Sequence, residues 1–200
     1  MLVGMKKDLH GLRVHGVEGE IGKLEEFYFD AASFVVQHGV VETGTWMETY
    51  KIRVPVEALH NIDWEQRLVA TKWTKAQAEA YPRVHTDRPL IRQDEIDPAA
   101  AAVDPSLRSS AAVIGAHLVG TDGEVGRVTD CLVDPSSWSI PSLVVDVDGT
   151  QLLITPGRIA RMDWDDARVC VDMTSEQIKA SPEYDASKSV QPQDSTPHSR

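Results

Sequence analysis

The sequence predicts an all-β protein built from two copies of one small domain, and three observations carry that prediction. Residues 11–30, GLRVHGVEGEIGKLEEFYFD, recur as residues 115–134, GAHLVGTDGEVGRVTDCLVD, and a repeat of this kind organises everything else in a chain. Elsewhere apolar residues alternate with polar ones over short runs bounded by Gly, Pro, Asn and Asp, the spacing of strands with one buried face. Each copy closes on a single short helix signal followed by proline.

The repeat superposes Gly11 on Gly115, Gly16 on Gly120, Gly19 on Gly123, Gly22 on Gly126 and Asp30 on Asp134. Val40-Val41 falls on Val144-Val145. After a three-residue shortening of the second copy, Pro55 falls on Pro156 and Asp63-Trp64 on Asp163-Trp164. The expected units are residues 8–82 and 112–185. The segment 83–111 holds prolines, an alanine run and mixed charge without periodicity, so it reads as an irregular linker. Residues 186–200 are rich in Ser, Pro and Gln and read as a disordered tail.

Within a copy, Ile21, Leu24, Phe27 and Phe29 drift through steps of three. A helix also produces such steps, but Gly22 and Gly126 at the first phase shift favour a bent strand from Glu20 to Asp30. Tyr50, Ile52 and Val54 alternate with Lys51 and Arg53 as a half-buried strand does. Val145 and Val147 alternate with Asp146 and Asp148, and Asp148-Gly149 then supplies the two positive-φ positions of a tight hairpin. Thr74 with Gln77, and Thr174 with Gln177, place a capping residue before one short helix per copy. The total is about five or six strands and one helix in each.

Composition narrows the function classes. The 200 residues, 42% hydrophobic and 26% charged, suffice for two small cores. Twenty Lys and Arg stand against 31 Asp and Glu, a formal charge of −11, which argues against direct nucleic-acid binding. No run approaches the roughly 18–20 apolar residues of a membrane span, and the start MLVGMKKDLHGLRV lacks a secretory apolar run. A cytoplasmic protein is expected. Cys131 and Cys170 form neither a disulfide framework nor a CxxC pair.

No catalytic, cofactor-binding or metal-binding residues are expected. GVEGEIG and GTDGEVG lack the Lys-Ser/Thr of a phosphate loop and read as turn glycines, with Glu18, Glu20, Asp122 and Glu124 as solvated turn carboxylates. The seven histidines show no HxH, HxxH or HExxH spacing. Cys131 and Cys170 read as small apolar fillers of strands. Trp64 and Trp164 read as aromatic covers over turns capped by Asp63 and Asp163, and Trp138 replaces Phe34 as a core or rim residue. Trp46 and Met47 differ: they sit in a first-copy loop, ETGTWMET, where the second copy has only a tight turn. An aromatic and a methionine at a loop tip read as a partner-binding surface.

The ordered series VEGEIGKLEEFYFD, VVETGTWMETYKIRVP and NIDWEQRLVATKWTKAQ, with TDGEVGRVTDCLVD, SLVVDV, LLITP and RMDWDDARVCVDMTSEQ in the second copy, resembles the PRC-barrel domain. The resemblance implies two small, SH3-like closed β-barrels. It is the module of the cytoplasmic part of the photosynthetic reaction centre H subunit and of the C-terminal half of the ribosome maturation factor. The H subunit's membrane-spanning helix has no counterpart before Leu9, and the maturation factor pairs its barrel with a different domain. The expected function is therefore a non-enzymatic, cytosolic protein-binding or scaffolding protein, able to form a homo-oligomer. A peripheral photosynthetic-membrane protein and a ribosome-assembly or RNA-processing factor are the alternatives.

Overall fold

The computed structural model describes residues 1–44, 49–59, 61–81, 83–84 and 106–186, and these are mostly β. In the first copy β1 is Val3–Gly4, β2 Arg13–Gly16, β3 Gly19–Asp30, β4 Val35–Gly44 and β5 Thr49–Pro55. A 3-10 turn at Val56–Ala58 leads to β6 (Ile62–Asp63) and β7 (Leu68–Ala70). Then come α1 (Lys75–Glu79) and β8 (Arg83–Val84). The second copy begins with β9 (Leu107–Ser109), α2 (Ser110–Val113), β10 (His117–Gly120) and β11 (Gly123–Val133). It continues with β12 (Ser142–Val147), β13 (Thr150–Ile154), β14 (Ile159–Asp163), β15 (Arg168–Val171) and α3 (Ser175–Lys179). In the first copy a π-type turn at Met5–Leu9 stands in the place of α2.

The repeat is visible in the pairing. β2 and β10 run antiparallel to β3 and β11 and parallel to β7 and β15. Val41 lies opposite Ile52, and Val145 opposite Leu152. The offset between copies is therefore 104 before this hairpin and 100 after it. The second copy is shorter there by four residues, and Pro156 falls on Val56, each opening a 3-10 turn, instead of on Pro55.

The segment from Glu20 to Asp30 lies in one unbroken strand. Its register against β4 shifts between Leu24 and Glu26 and again between Tyr28 and Phe29. Each bulge moves a residue across the sheet, which turns a period of two into the three-residue steps of the sequence. Gly22 and Gly126 sit where the bent strand passes closest to its neighbour: a Cβ there would overlap the carbonyl oxygens of Glu42 and Asp146. Asp148 and Gly149 have φ of 53° and 84°, the geometry of the tight hairpin read from their sequence. Thr74 and Thr174 each accept the amide of the Gln three residues on and complete a capping box.

The hydrogen-bonded strands follow the order β6-β7-β2-β3-β4-β5-β8 in one sheet and β13-β12-β11-β10-β15-β14 in the other. Among the described residues the two ends of each path do not pair, so the sheets are not the closed barrels expected from the sequence. The outer edges of β5 and β13 are occupied instead. Arg83 and Val84 pair with Ile52 and Lys51, and at equivalent positions Glu183 bridges Leu152 while Leu153 donates to the carbonyl of Pro182. The chain that leaves each terminal helix thus covers an edge that would otherwise template further pairing.

Each copy also lends its first strand to the other. β1 pairs with β11, Val3 opposite Val133, while β9 pairs with β3, Phe29 opposite Arg108. Residues 107–111, inside the segment read as linker, together with Ala112 and Val113 therefore form β9 and α2, the counterpart of Val3–Leu9. The arms are pinned by acidic side chains. Asp130 accepts the amides of Lys6 and Lys7 at 2.9 and 3.0 Å, and Glu26 accepts the hydroxyl of Ser109 at 2.5 Å. Buried residues of both copies, from Val3 and Phe27 to Leu143 and Ile178, belong to one contiguous hydrophobic cluster.

Candidate functional site

Trp46 and Met47 lie outside the described residues; the strands that carry their loop are placed. Gly44 ends β4 and Thr49 opens β5 opposite it. Beside this base a hollow is lined by Ile21, Thr43, Gly44, Tyr50, Lys75 and Ala78, so the strand ends at Gly44 and Tyr50 lie next to α1. Arg83, on β8, lays its guanidinium over the Tyr50 ring at 4.1 Å.

The far side of α1 carries a second aromatic feature. The rings of Trp73 and Tyr81 stand 4.9 Å apart at 52°, held by the intervening helix, whose Thr74–Gln77 capping box fixes where the chain enters it. Together with Gln77 and Ala80 they line an open groove. Trp73 is fixed through its backbone: its carbonyl accepts the amide of Val17 at 2.8 Å, and a Cβ on Gly16 would overlap that carbonyl oxygen. Val17 is 65% exposed, one of two large apolar side chains so exposed among the described residues. Partial burial raises the Tyr81 hydroxyl above its ordinary pKa, and Trp73 acts against that shift.

The matching surface of the second copy is different. Val17, Tyr50, Trp73 and Tyr81 correspond to Thr121, Thr150, Met173 and Ser181. The backbone bond is kept, since Thr121 donates to the carbonyl of Met173 at 2.9 Å. The fold is thus common to both copies and the aromatic surface belongs to the first. Sequence reasoning missed Val17, Trp73 and Tyr81, and the signal lay in the positions where two otherwise similar copies diverge.

The remaining residues singled out from the sequence take structural places. The turn carboxylates are engaged: Glu18 accepts the amide of Lys75 at 3.0 Å, and Asp122 accepts the amide and hydroxyl of Ser175 at 2.8 and 2.7 Å. These contacts tie each glycine turn to the start of a terminal helix and hold the Asp122 carboxyl below its ordinary pKa. Glu20 and Glu124 face His15 and His117. His38 is pushed below its usual pKa by burial and by Arg53. Among the described residues no three His, Cys, Asp or Glu side chains converge as metal ligands do.

Asp63 and Asp163 accept the amides three residues on, at 2.9 and 3.3 Å, while Trp64 and Trp164 pack against the core. Trp138 packs on Phe27 with ring centres 6.0 Å apart. Cys131 is fully buried and its thiol pKa is driven upward by desolvation and by Asp130. Cys170 is half-buried in β15. No described helix is long and apolar enough to cross a membrane. No protein-family model and no curated protein matches the chain.

Proposed function

We propose that this is a non-enzymatic, cytoplasmic protein-binding or scaffolding protein made of two PRC-barrel-type modules, and that the first copy presents the contact surface. The observation that supports it most is the pairing of exposed Val17 with the Trp73–Tyr81 groove, at an end of the first copy whose counterpart in the second carries Thr121, Met173 and Ser181. An exposed apolar side chain beside half-buried aromatic rings that line an open groove is the kind of surface by which a folded protein recognises another. Trp46 and Met47, in the loop between β4 and β5, belong to the same proposed contact region. The repeated pairing order of short strands, with a capping-box helix near the end of each copy, supports the PRC-type reading of each module.

Affinity capture from native lysate tests the proposal. Val17→Glu, Trp73→Ala and the double change Trp46→Ala, Met47→Ala are each compared with the wild type, and Thr121→Glu serves as the matched change in the second copy. Circular dichroism confirms folding of every variant. Loss of a specific partner from the first-copy variants with retention by Thr121→Glu is the expected result. Equal recovery from all of them removes the reading.

A further inference from the structure

Each path of hydrogen-bonded strands has two ends, and three of the four are occupied or very short. β8 lies on β5, Glu183 bridges to β13, and β6 is only two residues long, preceded by Asn61 with a φ of 59°. The fourth end is β14, five residues from Ile159 to Asp163. It pairs with β15 on one side and, among the described residues, with no strand on the other.

A cleft of about 430 Å³ runs along that free side, with Ile159, Ala160, Arg161 and Met162 on one wall and the turn from Ala31 to Phe34 on the other. Beyond the bulge between Ile159 and Arg161, Arg161 is exposed while Met162 packs against the core. The two side chains thus leave opposite faces of the strand. A cleft that touches both faces the strand's edge, where backbone N–H and C=O groups call for a partner.

The charges along this edge indicate which partner suits it. Arg161 and Asp163 stand two residues apart on one face, the guanidinium 3.6 Å from the carboxylate. Turned end for end about Met162, the strand sets Asp163 opposite Arg161 and Arg161 opposite Asp163. It is therefore complementary to itself in antiparallel pairing, with an opposite-charge pair on either side of the centre. A centre at Arg161 would set like charges face to face. The corresponding first-copy residues, Asn61, Ile62 and Asp63, hold an acid and no base.

We infer that β14 pairs antiparallel with β14 of a second molecule of this chain about a two-fold axis at Met162, so that one sheet continues through both molecules. The contact lies in the second repeat and does not depend on the protein-binding reading of the first.

Sedimentation equilibrium of the full 22.1 kDa chain, from about 1 µM to about 1 mM, tests this. The wild type is expected to reach the dimer mass reversibly, with amide exchange slowing across Ile159 to Asp163 as it does. Arg161→Glu sets an acid opposite Asp163, and Asp163→Arg sets a base opposite Arg161; each is expected to weaken association about tenfold or more. The double exchange Arg161→Glu, Asp163→Arg should restore the dimer, and an equimolar mixture of the two single variants should form a heterodimer tighter than either self-association. Thermal unfolding checks that each variant folds, since Asp163 also accepts the Asp166 amide; Arg161→Glu leaves that turn intact and carries the test by itself. A monomer throughout, a dimer indifferent to Arg161→Glu, exchange protection only elsewhere, or folded single variants that do not pair in the mixture would each overturn the inference.

Discussion

The carbonyl oxygen of Phe34 accepts the amide of Ile140 at 2.7 Å, and the carbonyl of Trp138, its repeat counterpart, accepts the amide of Val36 at 2.8 Å. The two bonds are one contact written twice, once in each direction, as in the isologous interface of a two-fold dimer. Both residues adopt left-handed backbone, φ 55° and 57°, a conformation costing bulky side chains about 1 kcal/mol or more. Aromatic packing offsets that cost: Trp138 lies on Phe27 and Phe34 on Phe29, with centroids 6.0 and 5.7 Å apart.

Trp138→Ala strips one side of this contact and is expected to lower the unfolding free energy by about 2–4 kcal/mol. Because both copies feed one core, far-ultraviolet dichroism and fluorescence of the remaining tryptophans should report the same single transition in denaturant. Two separated transitions would show that the copies unfold independently.

The arm made by β1 and the following turn hangs on Asp130. Its carboxylate accepts the amides of Lys6, Lys7 and Cys131, and burial raises its pKa despite those bonds. Asp130→Ala leaves three amides without their acceptor and should cost about 2–3 kcal/mol. Hydrogen exchange should accelerate first at Val3 to Leu9. Exchange unchanged there, with the loss spread through the second copy, would contradict the anchoring role.

Asp30 supplies a pH dependence of known sign. Hydrogen bonds from Ser106 and Ser33 lower its pKa from the ordinary 3.8 to about 2. The ionised form is therefore favoured in the folded state. Its contribution is present above the unfolded value of 3.8 and disappears as pH falls through about 2. The melting temperature of Asp30→Asn should lie below that of the wild type at neutral pH and converge with it in acid. A constant gap across that range would refute the assignment.

Gly22→Ala and Gly126→Ala each drive a methyl group into a neighbouring strand's backbone. Backbone cannot turn aside as a side chain does, so each change should destabilise by about 1–3 kcal/mol in chemical denaturation. Gly157→Ala, whose Cβ would meet nothing within 4 Å, is the tolerated comparison.

Features set by neighbours in the chain were legible before any coordinates. The Asp148-Gly149 hairpin, the two Thr-Gln capping boxes and the bend at Gly22 depend on backbone preference or one close approach. The exchanged arms were not, because Leu107 to Ser109 form a strand only through the other copy's Phe29 and Asp30, and three residues carry no readable period. The open sheet edges were hidden similarly: Arg83 and Val84 become strand by lying against Lys51 and Ile52. At the candidate surface, the length difference around Trp46 and Met47 was visible in the sequence. Trp73 and Tyr81 went unnoticed because their meaning lies in α1 bringing their rings together and in Met173 and Ser181 standing opposite.

Reciprocal loan of β1 and β9 interleaves synthesis with assembly. When the ribosome has released the first copy through Val84, the flank of β3 still lacks the three residues that pair with Tyr28, Phe29 and Asp30. Val3, the earliest of the arm residues made, waits longer still, since Val133 is its partner. A nascent first half therefore carries an unfinished flank and a hydrophobic leader in search of a sheet, and both needs are met only late in translation.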